Sequence, residues 1–258
     1  MIPRALTIAT SDSGGGAGIQ ADLKAFAAAG VHGSSALVAL TAQNTTDVTA
    51  VQELPSEFVT AQLDAVWDDI GVDAAKTGML FSKSLIDVVA DFLRAHRLPL
   101  VVDPVMIASS GAKLLRDDAV EALVARLFPL ATVITPNLNE AAALAGTKAP
   151  RRELAERLHA MGARAVIVTG GHGEEAIDHL FDGERHVEIP VARHDVRATH
   201  GAGCTHSATL AALLAKGLPL EEAARAAAYT ASEAVRNGLV ELGAGEGPVD
   251  VLNLKGAA

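Results

Sequence analysis

This chain of 258 residues has one cysteine, one tryptophan and one tyrosine, and aromatic side chains make up only 3% of it. A single cysteine excludes an internal disulfide and any four-thiolate metal site. So few aromatics leave no stacking platform for single-stranded nucleic acid. No run of basic residues offsets the formal net charge of −10, which argues against a nucleic-acid or anionic-membrane surface. No apolar stretch of transmembrane length is free of charges and breakers. Met1-Ile2-Pro3-Arg4 leads straight into a strand-like segment, so no signal peptide is expected and the reading is of a cytoplasmic protein. The patterns G-x-x-x-x-G-K-[ST], H-E-x-x-H and G-x-S-x-G are all missing, and the histidines are scattered rather than paired at zinc spacing.

What is present is aliphatic. Hydrophobic residues are 50% of the chain, dominated by Ala, Val, Leu and Ile, which suits helices packed closely on a parallel sheet. Periodicity predicts strands over Ala5–Thr10, Ser34–Leu40, Thr49–Leu54, Val72–Thr77, Pro99–Asp103, Thr132–Thr135 and Ala165–Thr169. It predicts helices over Ala17–Ala29, Ser56–Ile70 with Ser56 as N-cap, Ser82–His96, Asp117–Leu127, Asn137–Ala145, Glu153–Met161, Thr205–Lys216 and Leu220–Asn237. Glu175–Phe181 and Arg185–Pro190 read as a hairpin turning at Asp182-Gly183. The alternation implies an α/β, doubly wound, mainly parallel central sheet flanked by helices. No linker or repeat divides it, so residues 1–258 are expected to form one domain. In such a sheet ligands sit beyond the carboxyl ends of the strands.

Polar residues gather at those ends. Gly201-Ala202-Gly203-Cys204 precedes a helical stretch. Its glycines let backbone N–H groups converge on an anion, helped by the helix dipole. Cys204 is the one side chain there with acid–base chemistry, and a thiol at a helix N-terminus is expected to have a lowered pKa and to accept a proton. A glycine turn before a packed helix, with a small buried cysteine, accounts for the same residues without chemistry. Ser11 to Asp22 is a second glycine-rich loop. It fits G-x-G-x-x-A loosely, but no acid follows at ribose-binding distance. Asp22 is expected on the first helical turn, facing either a ligand or solvent. Asp103 ends an apolar strand, a costly position for a carboxylate unless it is paired or bound to a cation. Asn137 and Glu140 have capping-box spacing, and the alternative is that Glu140 joins Asp103 near Mg²⁺. Gln43 carries both a donor and an acceptor, suited to the edge of a heterocycle.

Six segments in order resemble the bacterial hydroxymethylpyrimidine/phosphomethylpyrimidine kinases of thiamine biosynthesis. They are Ile8 to Lys24, Ala39 to Thr45, Ala75 to Leu80, Val101 to Met106, Thr135 to Ala141 and Gly201 to Thr205. The resemblance spans residue 6 to about 230. It implies a ribokinase-like fold, with Mg²⁺ and ATP as co-substrate. It implies that Gln43 hydrogen-bonds the aminopyrimidine, that Ala17, Met79 and Val105 line its pocket, and that Asp22 lies near its polar end. Asp103 and Glu140 would organise Mg²⁺. Gly201, Ala202, Gly203 and Cys204 would hold the transferring phosphoryl group, with Cys204 where most ribokinase-like sugar kinases carry Asp. The ATP phosphates would lie near Asn137, Thr169 and Gly171. The partners implied are small molecules and a second copy of the chain, with neither nucleic acid nor membrane.

Three departures stand out. Thr169-Gly170-Gly171-His172 replaces the family's Lys-Gly-Gly-His, removing a positive charge near ATP. Thr10 stands where the family has Gly, and Ala202 where it often has Thr. Two competing readings are a pyridoxal/pyridoxine kinase and a catalytically weak vitamin-binding protein on the same fold.

Overall fold

The computed structural model describes residues 1–106, 117–171 and 176–257. His172 of the Thr169–His172 segment and Glu175, the expected start of the hairpin, lie outside the described residues. Strands β1 (Arg4–Asp12), β2 (His32–Gln43), β3 (Val48–Glu53), β4 (Ala74–Thr77), β5 (Leu100–Val102), β6 (Val133–Ile134), β7 (Val166–Val168), β8 (Ile177–Phe181) and β9 (His186–Pro190) join in one sheet. Its order is β3-β2-β1-β4-β5-β6-β7-β8-β9. The six strands from β2 through β7 run parallel, β3 is antiparallel at one edge, and the β8–β9 hairpin closes the other.

The helices are α1 (Gly18–Ala28), α2 (Ser56–Ala65), α3 (Lys83–Ala95), α4 (Asp117–Ala122), α5 (Leu138–Ala145), α6 (Arg151–Ala160), α7 (Ala202–Ala215) and α8 (Leu220–Arg236). Successive strand residues point to opposite faces, and two cores result. Leu6, Ile8, Val102, Ile134, Val166 and Val168 pack with Val59, Leu63, Leu85, Val89, Leu127 and Leu154. On the other face Ala5, Val101, Val133 and Ile167 meet Phe26 and the alanines of α7 and α8, among them Ala208, Ala211, Ala224 and Ala227. Small side chains let α7 lie close to the sheet. Each fully buried Val, Leu or Ile contributes about 1.5–3 kcal/mol.

Two boundaries differ from expectation. Pro55, not Ser56, caps α2, and Ser56 is already helical, because the fixed φ of proline sets up the first turn. The helix then runs into a wider π turn over Val66–Ile70. More consequential, α7 begins at Ala202 with Gly201 as N-cap, so Cys204 lies inside the first turn rather than before the helix.

The chain winds outward from β1 in both directions, through β2 and β3 one way and β4 to β7 the other. The strand order therefore reverses between β1 and β4. The carboxyl ends of these two neighbours mark the topological switch point, where open α/β sheets bind ligands.

Candidate active site

The loop after β1 is built around Asp12. Its carboxylate accepts hydrogen bonds from the N–H groups of Gly14 (2.8 Å), Gly16 (3.0 Å) and Ala17 (2.8 Å), and lies 3.0 Å from Nε2 of His200. Burial alone would push this carboxyl up, but the hydrogen bonds from His200, Ala17 and Gly14 hold it below the usual carboxylate range. The glycine loop and the α7 turn are thereby pressed together. A Cβ on Gly16 would lie 2.3 Å from the His200 ring, and one on Gly201, whose φ is +82°, would lie 1.8 Å from the Gly16 carbonyl oxygen. Only glycine fits at either position.

At the start of α7 the Ala202 N–H is donated to the Thr199 carbonyl, so it is not among the donors expected to face an anion. Among the described residues the N–H groups of Gly203 and Cys204 have no protein acceptor. They are first-turn amides at the positive end of a 14-residue helix. Gly203 is exposed, and no protein atom outside its own helix would lie within 4 Å of an added Cβ. The turn thus presents two N–H donors without a protein acceptor, an arrangement chemically suited to an anion.

Beside it lies a cluster of buried charge. Lys76 on β4 is fully buried, with Nζ at 2.8 and 2.9 Å from the two oxygens of Asp22 and 4.0 Å from Oδ2 of Asp103. Desolvation opposes the ammonium, yet the attraction of Asp22, with Asp103 adding to it, carries Lys76 above the usual lysine range. Asp22 also accepts from the Thr7 hydroxyl at 2.6 Å. Asp22 was expected on the first helical turn, facing either a ligand or solvent. It lies in the second turn of α1, fully buried, with both oxygens engaged by protein groups. An isolated carboxylate in that apolar seam would be costly, and Lys76 offsets that cost.

Cys204 corrects a second expectation. Burial, with Asp22 and Asp103 nearby, pushes its thiol up to about 12, against the pull of Lys76 and a hydrogen bond from the Gly18 N–H. The helix N-terminus does not produce a thiolate here. At neutral pH the group is a thiol, which cannot take up a proton.

Asp103 follows β5, and its Oδ2 accepts from the Ser207 hydroxyl at 2.8 Å. Glu140 caps α5: its Oε2 accepts from the Asn137 N–H at 2.9 Å, while Asn137 Oδ1 accepts from the N–H groups of Asn139 and Glu140. The capping box is therefore formed, and the Asn137 side-chain oxygen is occupied by it. Burial and the neighbouring Asp103 raise Glu140 to about 8, against hydrogen bonds from the Asn137 and Met106 backbone. Among the described residues no group of three or more His, Cys, Asp or Glu side chains could hold a metal ion. A pair of repelling carboxylates nevertheless fits Mg²⁺, which takes oxygen ligands, keeps several waters and relieves such repulsion.

The remaining expected residues fall around the same strand ends. Gln43 ends β2, with Nε2 3.4 Å from His200 Nε2 and Oε1 3.2 Å from the Thr41 hydroxyl. Ala17 is the N-cap of α1. The Met79 carbonyl accepts from both the N–H and the hydroxyl of Thr10. Val105, half-buried, follows Asp103. Thr169 bridges to Asn137, which places those two together, and Gly171 lies exposed beyond them. The Gly170 N–H is donated to Asp178 Oδ1 at 2.6 Å, and the other Asp178 oxygen lies 3.1 Å from His206. His206, read from sequence as partly exposed, is buried.

Sequence reasoning gave no role to Asp12, Lys76, Asp178, His200 or Ser207. For Lys76 a signal existed: a lysine inside the apolar run Ala74-Ala75-Lys76-Thr77 needs a buried partner. For Asp12 and His200 the contact is too remote in sequence to read.

A doubly wound sheet with its switch point between β1 and β4, and a glycine turn opening α7, have the architecture of the ribokinase-like phosphotransferases. The chain belongs to the phosphomethylpyrimidine kinase family, whose sequence profile matches residues 12–250. It is 53% identical over 253 residues to the hydroxymethylpyrimidine/phosphomethylpyrimidine kinase of Rhizobium meliloti, covering 95% of each chain. Among solved structures it is similar to the ADP complex of Bacillus subtilis pyridoxal kinase (TM-score 0.90, 40% identity, 99% of both chains). It is also similar to the phosphomethylpyrimidine kinase of Clostridium difficile (TM-score 0.81, 38% identity, 91% of this chain and 100% of that one).

Proposed function

We propose that the whole chain works as one kinase domain. It transfers the γ-phosphoryl group of ATP to the hydroxymethyl oxygen of 4-amino-5-hydroxymethyl-2-methylpyrimidine, then a second phosphoryl group to the monophosphate, giving the diphosphate used in thiamine biosynthesis. The observation that carries this is the pair of unaccepted N–H groups at Gly203 and Cys204, set beside Asp103 and across from the Gln43–His200 corner. An anion and a heterocycle can be held there at once. Mass spectrometry of the products from this alcohol with Mg-ATP tests the reading. Masses of mono- and diphosphate are expected, and unchanged alcohol would overturn it.

Gln43 reads the pyrimidine edge, and Ala17, Met79 and Val105 enclose the ring. The Gly201–Cys204 turn receives the phosphoryl group through the Gly203 and Cys204 amides, which are fixed before the reaction and cost no reorganisation. In each transfer the bond from γ-phosphorus to the ADP oxygen breaks as the bond to the acceptor oxygen forms. In the first, the hydroxyl proton leaves to solvent. A loose transition state needs little help from a base, and Cys204 orients the hydroxyl through its sulfur. Asp103 and Glu140 would hold Mg²⁺, which supplies neutralisation of phosphate charge when bound. Asn137, Thr169 and Gly171 border the nucleotide side. Because Thr169 brings no charge, backbone N–H groups carry more of the phosphate binding.

A pyridoxal kinase activity is the second reading, favoured by the likeness to the Bacillus subtilis pyridoxal kinase. Parallel assays with pyridoxal separate the two. A homodimer is supported by exposed apolar side chains on the elements at this edge of the sheet, Leu40 of β2, Val51 of β3 and Phe58 of α2. No described helix is long and apolar enough to cross a membrane, and we assign the enzyme to the cytoplasm, where ATP is supplied.

A further inference from the structure

Lys76 is the only buried lysine or arginine among the described residues. Two carboxylates face its ammonium, Asp22 from α1 and Asp103 just after β5. Ser207 of α7 joins through Asp103, its hydroxyl 2.8 Å from Asp103 and 2.9 Å from the Gly203 carbonyl. Gly78 leaves the space the ammonium occupies, since a Cβ there would lie 3.1 Å from Nζ. Thr7 fixes the far side of Asp22. Lys76, Asp103, Ser207 and the first turn of α7 thus form one connected line running to the anion site.

Stability alone does not account for this arrangement. Buried ion pairs are often matched or surpassed by apolar residues of the same volume, and the surrounding seam is built from alanine, leucine and valine. The chain is strongly acidic, and Asp103 and Glu140 stand at the same end of the sheet, so a phosphoryl group must enter a site already crowded with carboxylates. A fixed cation within 4.0 Å of Asp103 changes that balance.

We infer that Lys76 is a positioning residue for phosphoryl transfer: Asp22 anchors it, and its fixed charge holds Asp103 in place and offsets its negative charge as the phosphoryl group enters the α7 turn. The inference rests on the reading of this turn as the phosphoryl site. Lys76 makes no bond to substrate and exchanges no proton. Its influence passes through Asp103.

The test is a charge-balanced cycle on the full chain: wild type, Asp22→Asn, and Asp22→Asn with Lys76→Met. The double variant removes both charges together, so neither is left unpaired in the core. In Asp22→Asn the amide oxygen can still accept from the ammonium, which remains to serve Asp103, so kcat should fall, but less than in the double variant. The double variant should lose at least about 10-fold in kcat with little change in KM for the pyrimidine alcohol. A double variant as active as wild type would show that the pair only packs the core. Wild type that phosphorylates nothing would instead overturn the reading of the site. A measurement on wild type stands apart from the folding of any variant. The ¹⁵Nζ resonance of Lys76, protected from exchange by burial, should shift when ADP, aluminium fluoride and the pyrimidine alcohol are added together. An unmoved resonance would reject the inference.

Discussion

Nε2 of His200 lies 3.0 Å from Oδ2 of Asp12, and this contact holds the first glycine loop against the turn that opens α7. Asp12 is held below its ordinary value of 3.8, so the folded protein binds that proton less tightly than the unfolded chain does. Its stabilising effect is present above pH 3.8 and is lost as pH falls through the folded value. Thermal unfolding of wild type and Asp12→Asn between pH 7 and pH 3 should therefore show a gap in Tm that narrows as acid is added. A gap constant across that range would mean that the carboxylate charge does not hold the loops.

Cys204 is the only cysteine, so its chemistry can be followed without interference. With the thiol raised to about 12, alkylation by iodoacetamide at pH 7.5 should be slow and should climb steeply above pH 10. Cys204→Ala should lower the alcohol step by about 10-fold through lost orientation, not by the ~10²–10⁴-fold typical of a lost general base. The monophosphate step, whose acceptor oxygen is already ionised, should suffer less. An alkylation midpoint below pH 8.5 would restore the thiolate base.

Two glycines of one turn should behave oppositely. Gly201→Ala places a Cβ against the Gly16 carbonyl at a positive φ and should destabilise the fold by about 1–3 kcal/mol or more. Gly203→Ala meets open space in a helical position and should leave Tm unchanged or raise it by the equivalent of about 0.5–1 kcal/mol. Its methyl group would stand in the anion site, so turnover should fall while stability holds. Equal behaviour of the two variants, by calorimetry and kinetics, would count against an anion at Gly203.

Gln43→Ala should weaken pyrimidine binding by about 1–3 kcal/mol and leave ATP binding nearly unchanged, read by titration calorimetry with each ligand. Equal losses for both would remove Gln43 from the pyrimidine edge.

Glu140 serves two ends that can be separated. Glu140→Gln keeps an oxygen for the Asn137 N–H but loses the charge, so it should raise the Mg²⁺ concentration needed for half-maximal rate with Tm near wild type. Glu140→Ala should also lose the bond to the Asn137 N–H, the reciprocal half of the capping box, at a further cost of about 0.5–1.5 kcal/mol, while Asn137 still caps the helix. An unchanged Mg²⁺ requirement in both variants would leave Glu140 a cap alone.

Local signals were legible in the sequence. The three-residue spacing of Asn137 and Glu140 announced a capping box, and it formed. Alternating aliphatic runs marked the strands because each buries two faces. The start of α7 was not legible: Gly201-Ala202-Gly203 has poor intrinsic helix propensity, and the helix forms there because the loop around Asp12 and the packing of α7 hold it. Asp22 was read as a helix-start acid because its partner, Lys76, lies 54 residues away. The thiol of Cys204 was misjudged for the same reason. The helix terminus is a local feature, whereas the thiol is raised by burial and by carboxylates that come from α1 and from the residue that follows β5. Charge placed by tertiary contact leaves no period in a sequence.

The bond between Asp12 and His200 spans 188 residues. At ribosomal speeds of about 5–20 residues per second, its second half is synthesised roughly 10–40 s after its first. During that interval the glycine loop has three of its own N–H groups on Asp12 but no turn to press against, and Lys76 can already find Asp22 while the α7 side of the site is still missing. The enzyme therefore gains activity only when nearly the whole chain has emerged. An abortive product ending before residue 200 carries the Asp12 loop without the α7 turn proposed to receive the phosphoryl group, so on that proposal kinase activity doubles as a report on completed synthesis.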